Sequence, residues 1–215
     1  MRDKLSTSFE KIFKKSSQEF EKIHKAREIG LSLSREIIGI SSRAIRSAHR
    51  GEFNKSQEKI DLAMKKLSHA KPQIAQFAVD INSAFLLDAE KEICESIAFI
   101  SFLTGKPIPQ KYAKSFSPSS WLKGMAEAAS ELRRSALDRI RSNSVSDSEK
   151  YLDTMNEIVD MLESVDFPEG VTSGLRRTTD QLRSVVERTR GDITIALERK
   201  DLEKSIESLK RDLTQ

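Results

Sequence analysis

The stretch Pro72–Leu103, PQIAQFAVDINSAFLLDAEKEICESIAFISFL, decides how this chain is read. Ile74, Phe77, Ile81, Phe85, Leu87, Ile97, Phe99, Phe102 and Leu103 are spread almost all the way round a helix. A helix apolar on most faces belongs inside a bundle. Its middle nevertheless carries Asp88, Glu92 and Glu95, which at about 100° per residue fall within roughly 60° of one another. Carboxylates on a buried helix are costly unless a Lys, an Arg or a metal ion meets them. The conflict between burial and charge marks this ridge as the first candidate site.

Working outward, the next landmark is the loop Gly105–Ser119, GKPIPQKYAKSFSPS, which holds three of the five prolines. Ser117 or Ser119 then starts a helix, WLKGMAEAASELRRSALDRIRS, with Glu127 and Glu131 one turn apart on one face. The small residues from Gly124 to Ser130 let a neighbouring helix come close. If that neighbour is the acidic ridge, up to five carboxylates converge, and like charges that close need a counter-ion. Oxygen-only donors suit Mg²⁺ or Mn²⁺. Acid pairs at this spacing are also common in any helical chain that is one-third charged, and Lys91 or Arg133 can pair with them instead. Spacing does not separate the two readings.

Upstream, residues 1–50 read as one long helix or two nearly continuous ones, with Leu5, Phe9, Ile12, Phe13, Phe20, Ile23, Leu31, Ile37, Ile38 and Ile45 as the apolar stripe. They hold 12 Lys/Arg against 6 Asp/Glu, whereas the whole chain is only +4. Lys25, Arg27, Arg35 and Arg43, with His49 at the helix end, are the candidate phosphate contacts, against the plainer reading of a solvated basic face. Gly51 has the place of a left-handed terminator. Asn54 is placed to cap a second helix that Pro72 stops. Downstream, Ser146 and Glu149 form a capping-box pattern for a helix ending near Ser164. A last helix spans about Thr172–Arg199, and Lys200–Gln215 is a charged tail of helical pattern.

With 8 Gly and 5 Pro in 215 residues and no strand alternation, the expected fold is all-α: a single antiparallel bundle of about six to seven helices in one domain over residues 1–215. Cys94, the only cysteine, cannot form a disulfide framework and reads as a small buried hydrophobe. No segment reaches the ~18–20 apolar residues of a membrane span, and the N-terminus lacks an apolar signal core. A cytoplasmic protein without membrane partners is the expectation. Phosphate-loop and dinucleotide glycine patterns are absent, and His24, His49 and His69 are scattered.

Four stretches give the chain a resemblance to the translin family, which comprises translin and its partner Trax, and more closely to the Trax side. Lys25–Arg50, with LSREI, SSRAI and Ala48-His49-Arg50, resembles the family's basic first helix. Lys91–Phe99, KEICESIAF, is similar to the Gln-Glu-Tyr-Val-Glu-Ala segment of Trax. SWLKGMAEAASELRR is similar to Asp-Tyr-Leu-x-Gly-Val-x-(Asp)-x-x-x-Glu-Leu-x-Arg, and Leu175–Arg199 is similar to the closing helix. The resemblance spans about residues 20–199. Ala136-Leu137-Asp138-Arg139 and Ile74–Asn82 (IAQFAVDIN) depart from the Trax Asn-Ser-Val segment and the translin basic cluster, respectively.

The resemblance implies a translin-like helical fold, a hollow oligomer, an octamer in this family, enclosing RNA or single-stranded DNA, and a Mg²⁺-dependent endoribonuclease site of acids on two helices. The Trax catalytic carboxylates fall on Glu92, Glu95 and Glu127, with Glu131 beside them. Asp88 is not part of that carry-over; its place on the acidic ridge makes it a candidate outer-shell acid on the metal side. Glu127 stands where Trax usually has Asp. The assembly is either of this chain alone or shared with a translin-like partner subunit. The rival expectations are a non-catalytic nucleic-acid-binding shell, which binds without cleaving, and a structural helical adaptor or membrane-surface bundle, which would bind liposomes.

Overall fold

The computed structural model describes residues 2–75 and 84–213. Among these, eight helices and no strand are found: α1 (Arg2–His49), α2 (Phe53–Ala75), α3 (Ala84–Thr104), α4 (Gln110–Ala113), α5 (Pro118–Arg141), α6 (Val145–Glu163), α7 (Glu169–Thr172) and α8 (Leu175–Asp212). Two of them, α4 and α7, are single turns, so the six long helices carry the all-α bundle.

The central stretch is divided between two helices. Pro72 lies inside the last turn of α2 instead of stopping it. Proline lacks a backbone N–H and crowds the carbonyl four residues back, yet near a helix end few bonds remain to be lost. Residues 76–83, including most of the IAQFAVDIN departure, lie outside the described residues. α3 then carries the acids through the middle of the molecule. Ala89, Ile93, Cys94 and Ile97 join α1, α2, Tyr112 and Phe116 in one apolar cluster. Ala98 and Phe99 join α5, α6 and α8 in the other. Both clusters meet on α3, which is why it is apolar nearly all round.

Helix direction is what the sequence pattern does not carry. α2 runs antiparallel to α1: Ser56 Oγ donates to Ala44 O, and Lys66 pairs with Glu36. α3 runs with α1, as Ser34 Oγ donates to Phe85 O at 2.7 Å and Ser96 Oγ to Ser41 O at 3.2 Å. α5 runs with α3, because Ser120 Oγ donates to Leu87 O and Lys91 reaches Glu127. α8 runs with α5, as Lys123 donates to Ser173 O just ahead of α8 and Arg133 reaches Thr189 and Asp192, and against α6, as Arg183 donates to Glu163 and Arg190 to Asn156. The bundle thus mixes parallel and antiparallel neighbours.

The parallel α3/α5 pair requires a return connection. Residues 105–117 supply it and are pinned through the buried Glu90: Lys71 Nζ is 2.6 Å from Glu90 Oε1 and 3.0 Å from Ser115 O, and Ser117 N–H donates to Glu90 Oε2. Ser117 also caps α5 by accepting from Ser120 N–H.

Other ends differ in detail from expectation. Gly51 terminates α1 at φ 74°, as its place suggests. α2 begins at Phe53, which puts Asn54 inside the first turn. α6 begins at Val145, so Ser146 is helical and no side chain caps that end. α8 continues to Asp212, so the tail is helical as far as that residue. Residues 6–22 of α1 and 201–213 of α8 are exposed along their whole length. No helix among the described residues is long and apolar enough to cross a membrane.

Candidate metal centre

The site is built on the contact between α3 and α5, and Gly124 makes that contact possible. A Cβ at Gly124 would lie 2.7 Å from Cys94 Cβ, 2.7 Å from Lys91 O and 2.8 Å from Glu95 N. Alanines follow on the same helix: Ala126, Ala128 and Ala129 are buried. With backbones this close, a side chain one turn beyond Gly124 on α5 stands over the acids of α3. One oxygen each from Glu92, Glu95 and Glu127 lies within 4.8 Å of the others. These are three of the five acids expected to converge.

The other two stand apart. Asp88 is exposed, outside the trio, and acts on it only through its charge on Glu92. Glu131 turns to α1 and accepts from His49 Nε2 at 2.7 Å. The His49 side chain is only 6% exposed and its ring lies 4.6 Å from that of Phe99. His49 is therefore not a solvent-facing phosphate contact; it holds a carboxylate at the edge of the site. The hydrogen bond from His49 lowers the Glu131 carboxyl below its ordinary range, against the opposing effect of burial, with Arg134 adding to the lowering.

The three trio carboxylates are in unequal surroundings. Glu95 is 7% exposed, and among the described residues its carboxyl has no hydrogen bond or ion pair. Burial pushes it up to about 9, with the charges of Glu92, Glu127 and Glu131 adding to the effect. Glu92 is also raised by burial, partly offset by Lys91. Lys91 Nζ stands between the helices, 2.6 and 2.8 Å from the two oxygens of Glu127 and 3.3 Å from Glu92 Oε1. Burial opposes its charge, but the Glu127 hydrogen bonds and the two carboxylates together hold it above the usual lysine range. Of the two cations that spacing left open as partners, Lys91 is the one engaged; Arg133 pairs with Asp192.

The donor set fits a hard divalent cation. It offers carboxylate oxygens only, one of them buried and without a partner, at a separation that one ion can span. Cys94, against Gly124, is not a competing ligand: it is fully buried and burial raises its thiol strongly, so it stays neutral. Glu90, also buried, belongs to the Lys71 and Ser117 contacts and not to the trio.

The expected basic contacts are spread along α1. Lys25 and Arg27 are exposed and paired with Glu21 and Glu28. Arg35 and Arg43 are exposed and form no ion pair among the described residues. A basic surface closer to the acids went unread in the sequence. Arg133, Arg134 and Arg141 line an open groove with Ser130, Glu131, Leu137 and Asp138. Arg134 and Arg141 continue the Glu127–Glu131 face of α5 by further steps of three and seven residues, and that periodicity was the available signal.

No family model matches the chain. It is 26% identical over 194 residues to an uncharacterized protein of Methanocaldococcus jannaschii, covering 88% of this chain and 84% of that one. Among solved structures it is similar to AfC3PO in a complex with duplex RNA, with a TM-score of 0.77 and 28% identity over 87% of this chain and 97% of that one. AfC3PO alone gives a TM-score of 0.74 and 27% identity over the same shares. These are translin/Trax-family complexes. Over most of its length the chain is similar to these translin/Trax-family structures. A further member of this structural group, apo-NeC3PO, has a TM-score of 0.74 at 14% identity and supports the fold alone. In this chain the three acids Glu92, Glu95 and Glu127 lie on its two central helices, α3 and α5.

Proposed function

We propose that this chain is a Mg²⁺- or Mn²⁺-dependent endoribonuclease that cleaves single-stranded or short RNA inside an oligomeric shell. The observation that carries the proposal is Glu95: a buried carboxyl with no hydrogen bond or ion pair among the described residues, facing two further carboxylates within 4.8 Å. Burying such a group without compensation is unfavourable, and a divalent ion is the compensation the donor set suits. The similarity to a C3PO complex with duplex RNA at 28% identity supports RNA as the substrate class.

Glu92, Glu95 and Glu127 would hold the ion. When bound, a divalent cation lowers the pKa of a nearby water and offsets charge developing on the phosphate. Glu131, fixed by His49, orients the attacking water from the edge of the site, and Asp88 adds negative charge at its exposed end. Lys25, Arg27, Arg35 and Arg43, with Arg134 and Arg141, contribute phosphate contacts that carry no base preference.

Assembly of several copies is part of the proposal. Phe9, Phe13 and Phe20 on α1, and Leu202, Ile206 and Leu209 on α8 with Leu213 at its C-cap, are exposed. The last four follow the 4-3-4 spacing of a helix–helix seam. Sedimentation is expected to give a particle of several chains, eight by the family resemblance, with this chain alone or with translin-like subunits. A stable monomer at micromolar concentration would sink this part.

The test of the chemistry is cleavage of a 5′-labelled RNA, single-stranded and as a short duplex. The expected result is cleavage with Mg²⁺ or Mn²⁺, loss of cleavage in EDTA, and loss in Glu95→Ala with metal present. Binding without cleavage under both metals would make the protein an RNA-binding shell and the acids structural.

A further inference from the structure

The space between Glu92 and Glu127 already holds a cation, and it belongs to the chain. Lys91 Nζ contacts both oxygens of Glu127 at 2.6 and 2.8 Å and one of Glu92 at 3.3 Å. These are two of the three carboxylates that would hold the divalent ion. Their oxygens cannot serve the ammonium and the ion in the same geometry. Two positive centres a few ångströms apart in a half-buried site also repel strongly. Lys91 is not needed there for α3 to meet α5, since the close approach is set by Gly124 and the alanines after it.

We infer that Lys91 is a built-in competitor for the divalent site: the ion enters only as Lys91 leaves Glu127, so this residue sets the metal concentration at which the site fills. The inference rests on the metal-site reading above and adds regulation to it. Lysine suits the role because its ammonium sits on a flexible four-carbon stem and can move without disturbing the helix. In the metal-free chain it also spares the two carboxylates an uncompensated meeting.

The experiment is titration of the purified full-length chain with Mn²⁺, followed by calorimetry and by the loss of the free-ion paramagnetic resonance signal. Wild type is compared with Lys91→Gln, with Lys91→Met, which keeps the aliphatic stem, and with Lys66→Gln, which removes a lysine paired with Glu36 elsewhere. Both Lys91 variants are expected to bind Mn²⁺ at least tenfold more tightly than wild type, and Lys66→Gln within twofold of it. In EDTA the Lys91 variants are expected to melt lower than wild type, and in saturating Mn²⁺ to recover. Equal or weaker binding by folded Lys91 variants, with wild type still binding, overturns the competitor and leaves the metal site standing. An equal gain in Lys66→Gln also overturns it, because the effect would then be net charge. No Mn²⁺ binding by any of the chains overturns both readings together.

Discussion

Gly124 lies so close to Cys94 that a Cβ on the glycine would sit 2.7 Å from the cysteine Cβ. The same Cβ would press on the α3 backbone at Lys91 and Glu95, so Gly124→Ala cannot be relieved by rotating a side chain. α3 and α5 must move apart, at an expected cost of about 1–3 kcal/mol, as for other overpacked cores. For a chain of this size each kcal/mol lowers Tm by about 2–4 °C. Thermal melts should show that fall, and Mn²⁺ titration a weaker site, because Glu127 travels with α5. An unchanged Tm would show that the two helices are not held at this distance.

Glu95 ties stability to pH with a definite sign. Its carboxyl titrates near 9 when folded, against 4.5 as an ordinary glutamate. Between those values the folded chain holds a proton that the unfolded chain has lost, so stability falls as pH rises through that window. Glu95→Gln removes the dependence. In EDTA the variant is expected to match wild type near pH 4.5 and to melt several degrees higher at pH 8. Melts that stay parallel across this range would contradict the burial assigned to Glu95.

The trio and its flanking acid should separate in activity. Glu92→Gln and Glu127→Gln each remove a proposed ligand and are expected to lower RNA cleavage at least 100-fold at saturating metal. Asp88→Asn, exposed and outside the trio, is expected to remain within about fivefold of wild type. A loss for Asp88→Asn equal to that of the trio would move the site along α3.

The α5 groove predicts a salt signature. Arg134→Ala and Arg141→Ala are each expected to weaken RNA binding severalfold, alike for different sequences. Each should reduce the slope of log affinity against log salt by about one. Fluorescence anisotropy from 50 to 300 mM KCl measures both. An unaltered slope would remove the groove from the RNA path.

His49 supports Glu131 from a buried position. His49→Ala is expected to lower Tm, since the Phe99 ring contact and the Glu131 hydrogen bond go together. His49→Gln should keep part of the bond and lose less. Cleavage should fall in the same order. Full activity in His49→Ala would leave Glu131 without a role in orienting water.

Much of this was legible from residue types. Acids on an apolar helix, small residues on the helix that meets it, a glycine after a basic helix end and a serine before α5 each have a local physical meaning. Each appears where that meaning puts it. What was illegible depends on partners distant in sequence. Spacing could not choose between Lys91 and an ion as the cation facing Glu127, since both answer the same charge. It could not place His49 inward, because the carboxylate that draws it in is 82 residues away. Nor does amphipathic periodicity encode direction, so the parallel pairing of α3 and α5 was invisible. Pro72 and the Ser146–Glu149 pattern misled at the boundaries because helix ends there are set by packing, which outweighs a single local preference.

The parallel pairing of α3 and α5 gives the connection between them a mechanical role. From Thr104 the chain must return to bring Ser120 beside Leu87, a run of about 26 Å at 1.5 Å per helical residue. Residues 105–117 span at most about 45 Å when fully extended, and part of that length is coiled into α4. The connection therefore works as a tether of nearly fixed length, anchored where Glu90 grips Lys71 and the Ser117 amide. Its length decides which turn of α5 arrives opposite Lys91 and Glu92. Shortening it by a few residues would slide Glu127 out of line with its partners while leaving every helix intact. The alignment of the site is thus written into a segment that contains none of its acids.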